Sequence, residues 1–391
     1  MQKTNRWTGR PVAGTAAAVA VAAMMLILSG GAVAQGAGGK PLFKFPTATF
    51  LVDTYATDFV AKDRGIFEKH GLDVTFTFPQ SGATAAQLLL AGEIRGWNGP
   101  MDFAILSAAK GADLKMAGMP FPATTDFLIV SSKGNWPARN APYEEKIKAL
   151  KGKVIGVSGI GAGTDRTLIA ALNAVGLTDR DVTRVGVGPS AGGLGQLQSG
   201  RIDAYIDFSK SGVNLIQSKG AGHLYIDLAQ DKDVPKAVRE AASNALIVEG
   251  KFAKENPEIV ERYVAAQREA MEYIKANPAE ATKIVARYVF KGDNENWIRD
   301  TLDGFANVMW KSGNLQVSRA IYANWIELLD KQGQEVSKSP TSAYDNVVLP
   351  LKIAGVGTRE RTERGMAALR ALELDDKAKN KATNLSGGQK Q

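Results

Sequence analysis

Short apolar blocks alternate with stretches of helical periodicity through the first two thirds of the chain. Phe45 to Val52 reads as a strand, Tyr55 to His70 as a helix, and Asp73 to Phe78 alternates with the period of two that marks a half-buried strand. Ser81 is placed to cap the next helix, which carries Ala85, Leu88, Leu89 and Leu90 and stops at Gly92. A second series follows: strands at Asp126 to Ser131 and Val154 to Val157, a helix from Thr164 to Val175, and a strand from Val182 to Val187. A short helix from Leu194 to Gln198 and a strand from Ala204 to Phe208 complete it. This alternation predicts an α/β protein with two parallel-type sheets rather than a bundle or a barrel.

The last third changes character. Asn256-Pro257-Glu258 and Asn277-Pro278-x-Glu280 read as two similar helix starts, with Asn as the cap and Pro in the first turn, where its missing N–H costs nothing. Ile259, Tyr263, Ala266, Ala270 and Ile274 then recur on one helical face. Trp297, Ile298, Leu302, Phe305 and Met309 do the same, as do Ile321, Trp325, Leu328 and Leu329, and all read as core.

Composition narrows the chemistry. The chain of 391 residues is long enough for two or three domains. Of its net charge of +8, three belong to Lys3, Arg6 and Arg10 and three to the excess of bases over acids after Gly355. The remaining body is nearly neutral and gives no reason to expect nucleic acid as a partner. Cysteine is absent and there are two histidines, His70 and His223, so disulfides, thiolate chemistry and a multi-histidine metal site are not expected. Lys3, Arg6 and Arg10 precede an apolar run from Val12 to Leu28, and Ala32-Val33-Ala34 has the small-x-small pattern of a cleavage site. Residues 1–34 therefore read as a signal peptide cleaved after Ala34, since the apolar run falls short of the about 20 residues that span a bilayer. The mature protein is expected to be periplasmic.

No His-Glu-x-x-His or phosphate-binding Gly-x-x-x-x-Gly-Lys-[Ser/Thr] occurs. The strongest positive pattern is Val154 to Thr164, a strand that runs through Ser158, Gly159, Gly161, Ala162 and Gly163 into a helix. Such a loop lets a ligand approach the backbone and presents the N–H groups of a helix start to an anion or a polar oxygen. As a dinucleotide fingerprint its glycine spacing is wrong. Other strand ends carry similar chemistry: Asp53 and Tyr55, Ser81, the segment Trp97-Asn98-Gly99, Ser190, and Asp207 with Phe208. In open α/β sheets ligands lie beyond the carboxyl ends of strands, so these segments can face one cleft. Asp53 and Asp207 are equally suited to capping helices.

The order of these residues resembles a known family. Phe59-Val60-Ala61-Lys62-Asp63-Arg64-Gly65-Ile66-Phe67 with His70-Gly71-Leu72-Asp73-Val74 is similar to the opening of periplasmic substrate-binding proteins of the nitrate, sulfonate and taurine type, a superfamily that includes thiamine-precursor binders. Gln80-Ser81-Gly82, Leu150 to Val157, Leu197 to Ala204 and Phe252 to Pro257 continue the likeness, which covers roughly residues 45 to 350. The resemblance implies a two-lobed type II periplasmic binding protein fold with a two-strand hinge. Lobe 1 would be residues 41–126 and 244–350, lobe 2 residues 127–243, and the partner the membrane permease of an ABC importer. It further implies a monomer without cofactor that captures a small anionic solute such as a sulfonate, nitrate or an organic acid. The expected ligand-binding residues are Asp53, Tyr55, Ser81, Trp97, Asn98, Gly99, Ser158, Gly161, Ala162, Gly163, Thr164, Ser190, Asp207 and Phe208. Ile94 to Met101 departs from the family pattern through the bulky Arg95, Trp97 and Met101.

Two further resemblances stand beside this one. Asn384 to Gln391, with the run from Arg364 before it, is similar to the signature segment of ABC transporter ATPases, and residues 355–391 are expected to be a tail without nucleotide-binding function because no Walker A precedes it. The alternative function is an enzyme on the same fold, resembling the thiamine-pyrimidine synthases, which bind pyridoxal phosphate and use a histidine and a cysteine cluster. The lack of cysteine and the export signal oppose it.

Overall fold

The protein was analysed as a computed structural model that describes residues 41–349, apart from 242, 312 and 314. Residues 1–34, read above as a signal peptide, and the 355–391 tail lie outside the described residues. Strands β1 (Phe43–Ala48), β2 (Leu72–Thr77), β3 (Gly96–Pro100) and β4 (Leu114–Phe121) belong to a first sheet. A second sheet holds β5 (Phe127–Ser131), β6 (Val154–Val157), β7 (Thr183–Gly186), β8 (Ala204–Asp207) and β9 (Gly222–Asp227), and β10 (Asn244–Glu249) returns to the first. The orders are β2-β1-β3-β10-β4 and β7-β6-β8-β5-β9.

Both sheets are mixed in the same way. β1 pairs in parallel with β2 and β3, and β6 with β7 and β8. One strand in each runs against its neighbours: β10 between β3 and β4, and β5 between β8 and β9. The chain thus passes from the first sheet to the second through residues 122–126 and back through 228–243. This is the α/β architecture that the alternating pattern predicts, except that each sheet carries one antiparallel strand.

Burial explains the pattern. Every residue of β5 is buried, because its two faces meet different apolar clusters: Leu128 and Val130 join Ile155, Leu168 and Tyr225, while Phe127 and Ile129 join Leu197, Tyr205 and Ile216. The first sheet packs with the late helices Pro257–Ala276, Pro278–Phe290 and Arg319–Lys331 in one large core, which contains Tyr263, Ile274, Ile284 and Trp325. The helical-period residues of the last third are therefore core, except Trp297, which is half-buried and packs edge-on against Phe290.

Several local expectations need correction. The region 55–70 is two helices, Ala56–Asp63 and Ile66–Lys69, divided at Gly65, whose φ of 65° lies in the left-handed region. Asn256 and Asn277 do not cap the helices that follow them. Their Nδ2 groups reach back to the carbonyls of Phe252 and Tyr273, closing the preceding helices. β1 ends at Ala48, and the helix near 194 spans Ser190–Ser199.

Candidate functional site

A cleft of about 540 Å³, including its open mouth, lies where the two sheets face each other. It is lined from the first sheet's side by Phe50, Tyr55, Gln80, Ser81, Gly82, Trp97 and Pro100, and from the second's by Ser158, Ala162, Gly163, Thr164, Pro189 and Phe208. Thr125, Asp126 and Asn244, which flank the two passages of the chain, complete the lining. Tyr55, Ser81, Trp97, Ser158, Ala162, Gly163, Thr164 and Phe208 of the expected site residues are thus brought together in one cavity.

The glycine-rich loop is held rigidly. Thr164 Oγ1 accepts the backbone N–H of Ser158 at 2.9 Å and lies 2.8 Å from Ser158 Oγ, so one hydroxyl proton of the pair is used between them and the other stays available. Arg184 donates to both oxygens of Asp165 at 2.7 Å, and Asp165 Oδ2 accepts the N–H of Gly161 at 2.7 Å. Gly161 therefore has no N–H to offer and lies outside the cleft lining. In the helix Gly163–Asn173, Asp165 and Arg166 already bond to the carbonyl of Ala162. The N–H groups of Gly163 and Thr164 are the donors left at the helix start, where partial positive charge gathers. Ser81 caps a second helix, Gly82–Leu90, by accepting the N–H of Thr84 at 3.3 Å.

The opposite wall is aromatic. Trp97 sits on β3, in the middle of the first sheet, rather than in a loop, and its Nε1 donates to Tyr55 Oη at 3.2 Å. Its ring lies across Gly99, where any Cβ would overlap the indole, so glycine is required there for the ring to lie against the strand. Burial pushes the Tyr55 hydroxyl well above its usual range, keeping it a neutral donor. Phe50 packs on Tyr55 with centroids 5.3 Å apart and edge-on to Phe208 at 6.3 Å. Among the described residues, no Lys, Arg or His lines the cleft.

The remaining expected residues sit behind this surface. Asp53 is fully buried, and its Oδ2 accepts from the Ser211 N–H at 2.7 Å and Thr301 Oγ1 at 3.2 Å. Asn98 is fully buried, with neither side-chain amide atom partnered among the described residues. Ser190 and Asp207 both abut Gly212, leaving no room for a Cβ there. Burial, reinforced by the neighbouring Asp53 charge and opposed by Ser190, pushes the Asp207 carboxyl up to about 8. Of the lining residues not expected, Gln80, Gly82, Pro100 and Pro189 flank expected ones, whereas sequence reasoning missed Phe50, Thr125, Asp126 and Asn244 altogether. Thr125 and Asp126 close the first passage between sheets, and their only signal is adjacency to a strand that enters the second sheet.

Two mixed sheets joined by two passages, with a cleft at the carboxyl ends of the strands, define the fold of the periplasmic binding proteins. Residues 54–281 match the family described as "NMT1/THI5 like", and the chain belongs to that family. It is 27% identical over 269 residues to a candidate binding protein of Brucella abortus, covering 65% of this chain and 74% of that one. A separate match of 50 residues, 46% identical, is to the ATP-binding protein LolD of the lipoprotein-releasing system of Bacteroides thetaiotaomicron, over 13% of this chain and 23% of LolD. In structure the chain is similar to the alkanesulfonate-binding protein SsuA from Xanthomonas axonopodis pv. citri bound to MOPS, with a TM-score of 0.62, 17% identity, and 78% and 98% of the two chains covered. The periplasmic nitrate-binding protein NrtA from Synechocystis PCC 6803 gives 0.62 at 16% identity, with 86% and 91% covered. No helix among the described residues is long and apolar enough to cross a membrane.

Proposed function

We propose that the chain is an extracytoplasmic solute-binding protein that captures a small solute bearing an oxyanion and delivers it to an ABC importer. The observation that carries this reading is the cleft itself: its lining comes from both sheets, and only residues 122–126 and 228–243 pass between them. Residues 41–126 with 244–350 and residues 127–243 act as two lobes. Opening at the two passages admits solute, and closing buries it. The oxyanion lies at the start of the helix Gly163–Asn173, against the N–H groups of Gly163 and Thr164 and the spare hydroxyl proton of Ser158 or Thr164. Phe50, Tyr55, Trp97 and Phe208 surround the apolar part. The relatives named as binding proteins, and the fold shared with sulfonate and nitrate binders, support the same reading.

Pyridoxal phosphate, which the synthase alternative needs, does not fit these residues. Among the described residues the cleft lining supplies no lysine for an imine and no histidine, and His70 is engaged with Glu269 at 2.9 Å. A thermal-shift screen over sulfonates, nitrate, pyrimidines and aromatic acids tests the binding reading. A true ligand at 100 times its Kd stabilises by about 2.7 kcal/mol and compacts the protein in small-angle scattering. No stabilisation across the panel, or a stoichiometric imine absorbance with pyridoxal phosphate, overturns it.

A further inference from the structure

Two acids from opposite halves converge on one helix start. Asp53 follows β1 of the first sheet, Asp207 ends β8 of the second, and both are 0% exposed. Asp53 Oδ2 accepts the N–H of Ser211 at 2.7 Å and Asp207 Oδ1 that of Ser209 at 3.2 Å, at the start of the helix Lys210–Ser218, where the hydroxyls of Ser209 and Ser211 lie 3.1 Å apart. A helix start offsets about half an elementary charge, whereas two carboxylates carry two. The charged groups on the surrounding elements do not supply the rest. Lys210 holds its Nζ over the Phe127 ring at 5.2 Å. On the helix Glu295–Gly304, which gives Thr301 to Asp53, Glu295 and Asp300 are exposed and Arg299 pairs with Asp303 at 3.0 Å. Asp58 bonds to Gln267, Asp126 and Asp227 beside β5 and β9 add only further acids, the helix Ser190–Ser199 has no charged residue, and burial keeps Tyr55 and Tyr205 neutral. Burial pushes both carboxyls up, and the Asp53 charge pushes Asp207 further. Held together, the two acids therefore retain one proton and one negative charge.

We propose that closure of the two halves takes up a proton: Asp53 and Asp207 share it across the interface, and both ionise when opening separates them and admits water. The inference rests on the solute-binding reading above and concerns the regulation of that site. Because only the closed form keeps the proton, solute affinity is greatest at low pH. It falls as pH rises, by up to about tenfold per pH unit, and levels off once Asp207 ionises in the closed form too, near pH 8.

Calorimetry on the full chain with nitrate, ethanesulfonate and benzenesulfonate tests this, because each probe keeps a single charge across the range and any proton exchanged belongs to the protein. Binding heats at about pH 6.5 in buffers of different ionisation enthalpy give the protons taken up per probe bound, a ratio that partial misfolding does not move. The wild type should take up about half a proton or more, and Asp207→Asn close to none, with most of the pH dependence of its affinity lost. Asp53→Asn, which keeps an acceptor for Ser211 without the charge, serves if Asp207→Asn does not fold and should likewise lower the uptake. A probe that binds without proton uptake overturns the inference and leaves the solute-binding reading standing. Uptake that persists in Asp207→Asn and vanishes in Asp126→Asn overturns it too, since the proton then belongs to the cleft lining. If none of the three probes binds, the oxyanion reading falls and the coupling falls with it.

Discussion

The carboxylate of Asp53, just after β1 of the first sheet, accepts the backbone N–H of Ser211 in the first turn of a helix that flanks the second sheet, at 2.7 Å. Beside it Thr54 Oγ1 donates to the carbonyl of Phe208 at 2.7 Å. These bonds join the two halves directly behind the aromatic wall, so they exist only while the halves are together. Asp53→Ala should weaken the closed form by about 2 kcal/mol. The check is ligand affinity, expected to fall by more than tenfold, alongside an unchanged circular dichroism spectrum.

A second link joins Asp102, fully buried on the helix Met101–Ala109, to Arg166 on the helix Gly163–Asn173. Removing one member of a buried pair leaves the other without compensation, at a cost of roughly 3 kcal/mol. Asp102→Asn and Arg166→Gln should each speed ligand release, and the double variant should cost less than the sum of the two. Stopped-flow dissociation rates in a double-mutant cycle measure this; strict additivity would show that the pair does not couple.

Closure also depends on Gly163. A Cβ there would sit 2.8 Å from Cγ of Pro100, at the end of β3 across the cleft. Gly163→Ala should fold normally, since the added Cβ meets only Pro100 of the opposite half, yet hold the halves apart. Small-angle scattering should give a larger radius of gyration than wild type with saturating ligand.

Three buried acids give stability an unusual pH dependence. Burial pushes Asp58 and Asp126 up to about 7 and Asp207 up to about 8, against 3.8 in the unfolded chain. Between those values the native protein holds protons that the unfolded chain has released, so unfolding free energy decreases as pH rises. Each group contributes a slope of at most about 1.4 kcal/mol per pH unit. The melting temperature is expected to fall from pH 5 to pH 8.5, and Asp207→Asn should flatten the upper part of that decline. A melting temperature that rises over this range would contradict the assignment.

Most of the architecture was legible in the chain because period-two and helical blocks report which faces are buried, as at Val154–Val157, where the sequence reading and the strand coincide. The glycine loop was legible as a strand-to-helix turn for the same reason. Its internal wiring was not: that Asp165 occupies the N–H of Gly161 depends on Arg184, distant in sequence and reached only through the β6–β7 pairing. Asp126 was hidden for a different cause. An aspartate before a strand looks like any cap or turn until burial removes its solvent.

The position of β10 bears on the order in which the molecule can be assembled. It lies between β3 and β4, yet it is made more than a hundred residues after them. As the chain emerges from the ribosome, β1, β2 and β3 can pair locally, while β4 has no neighbour in its sheet until Asn244–Glu249 arrives. All five strands of the second sheet are complete by Asp227, so that sheet can form first although it starts later. The growing chain therefore carries an open, apolar seam through most of its synthesis, a state that favours holding by a chaperone before the final strand locks the first sheet shut.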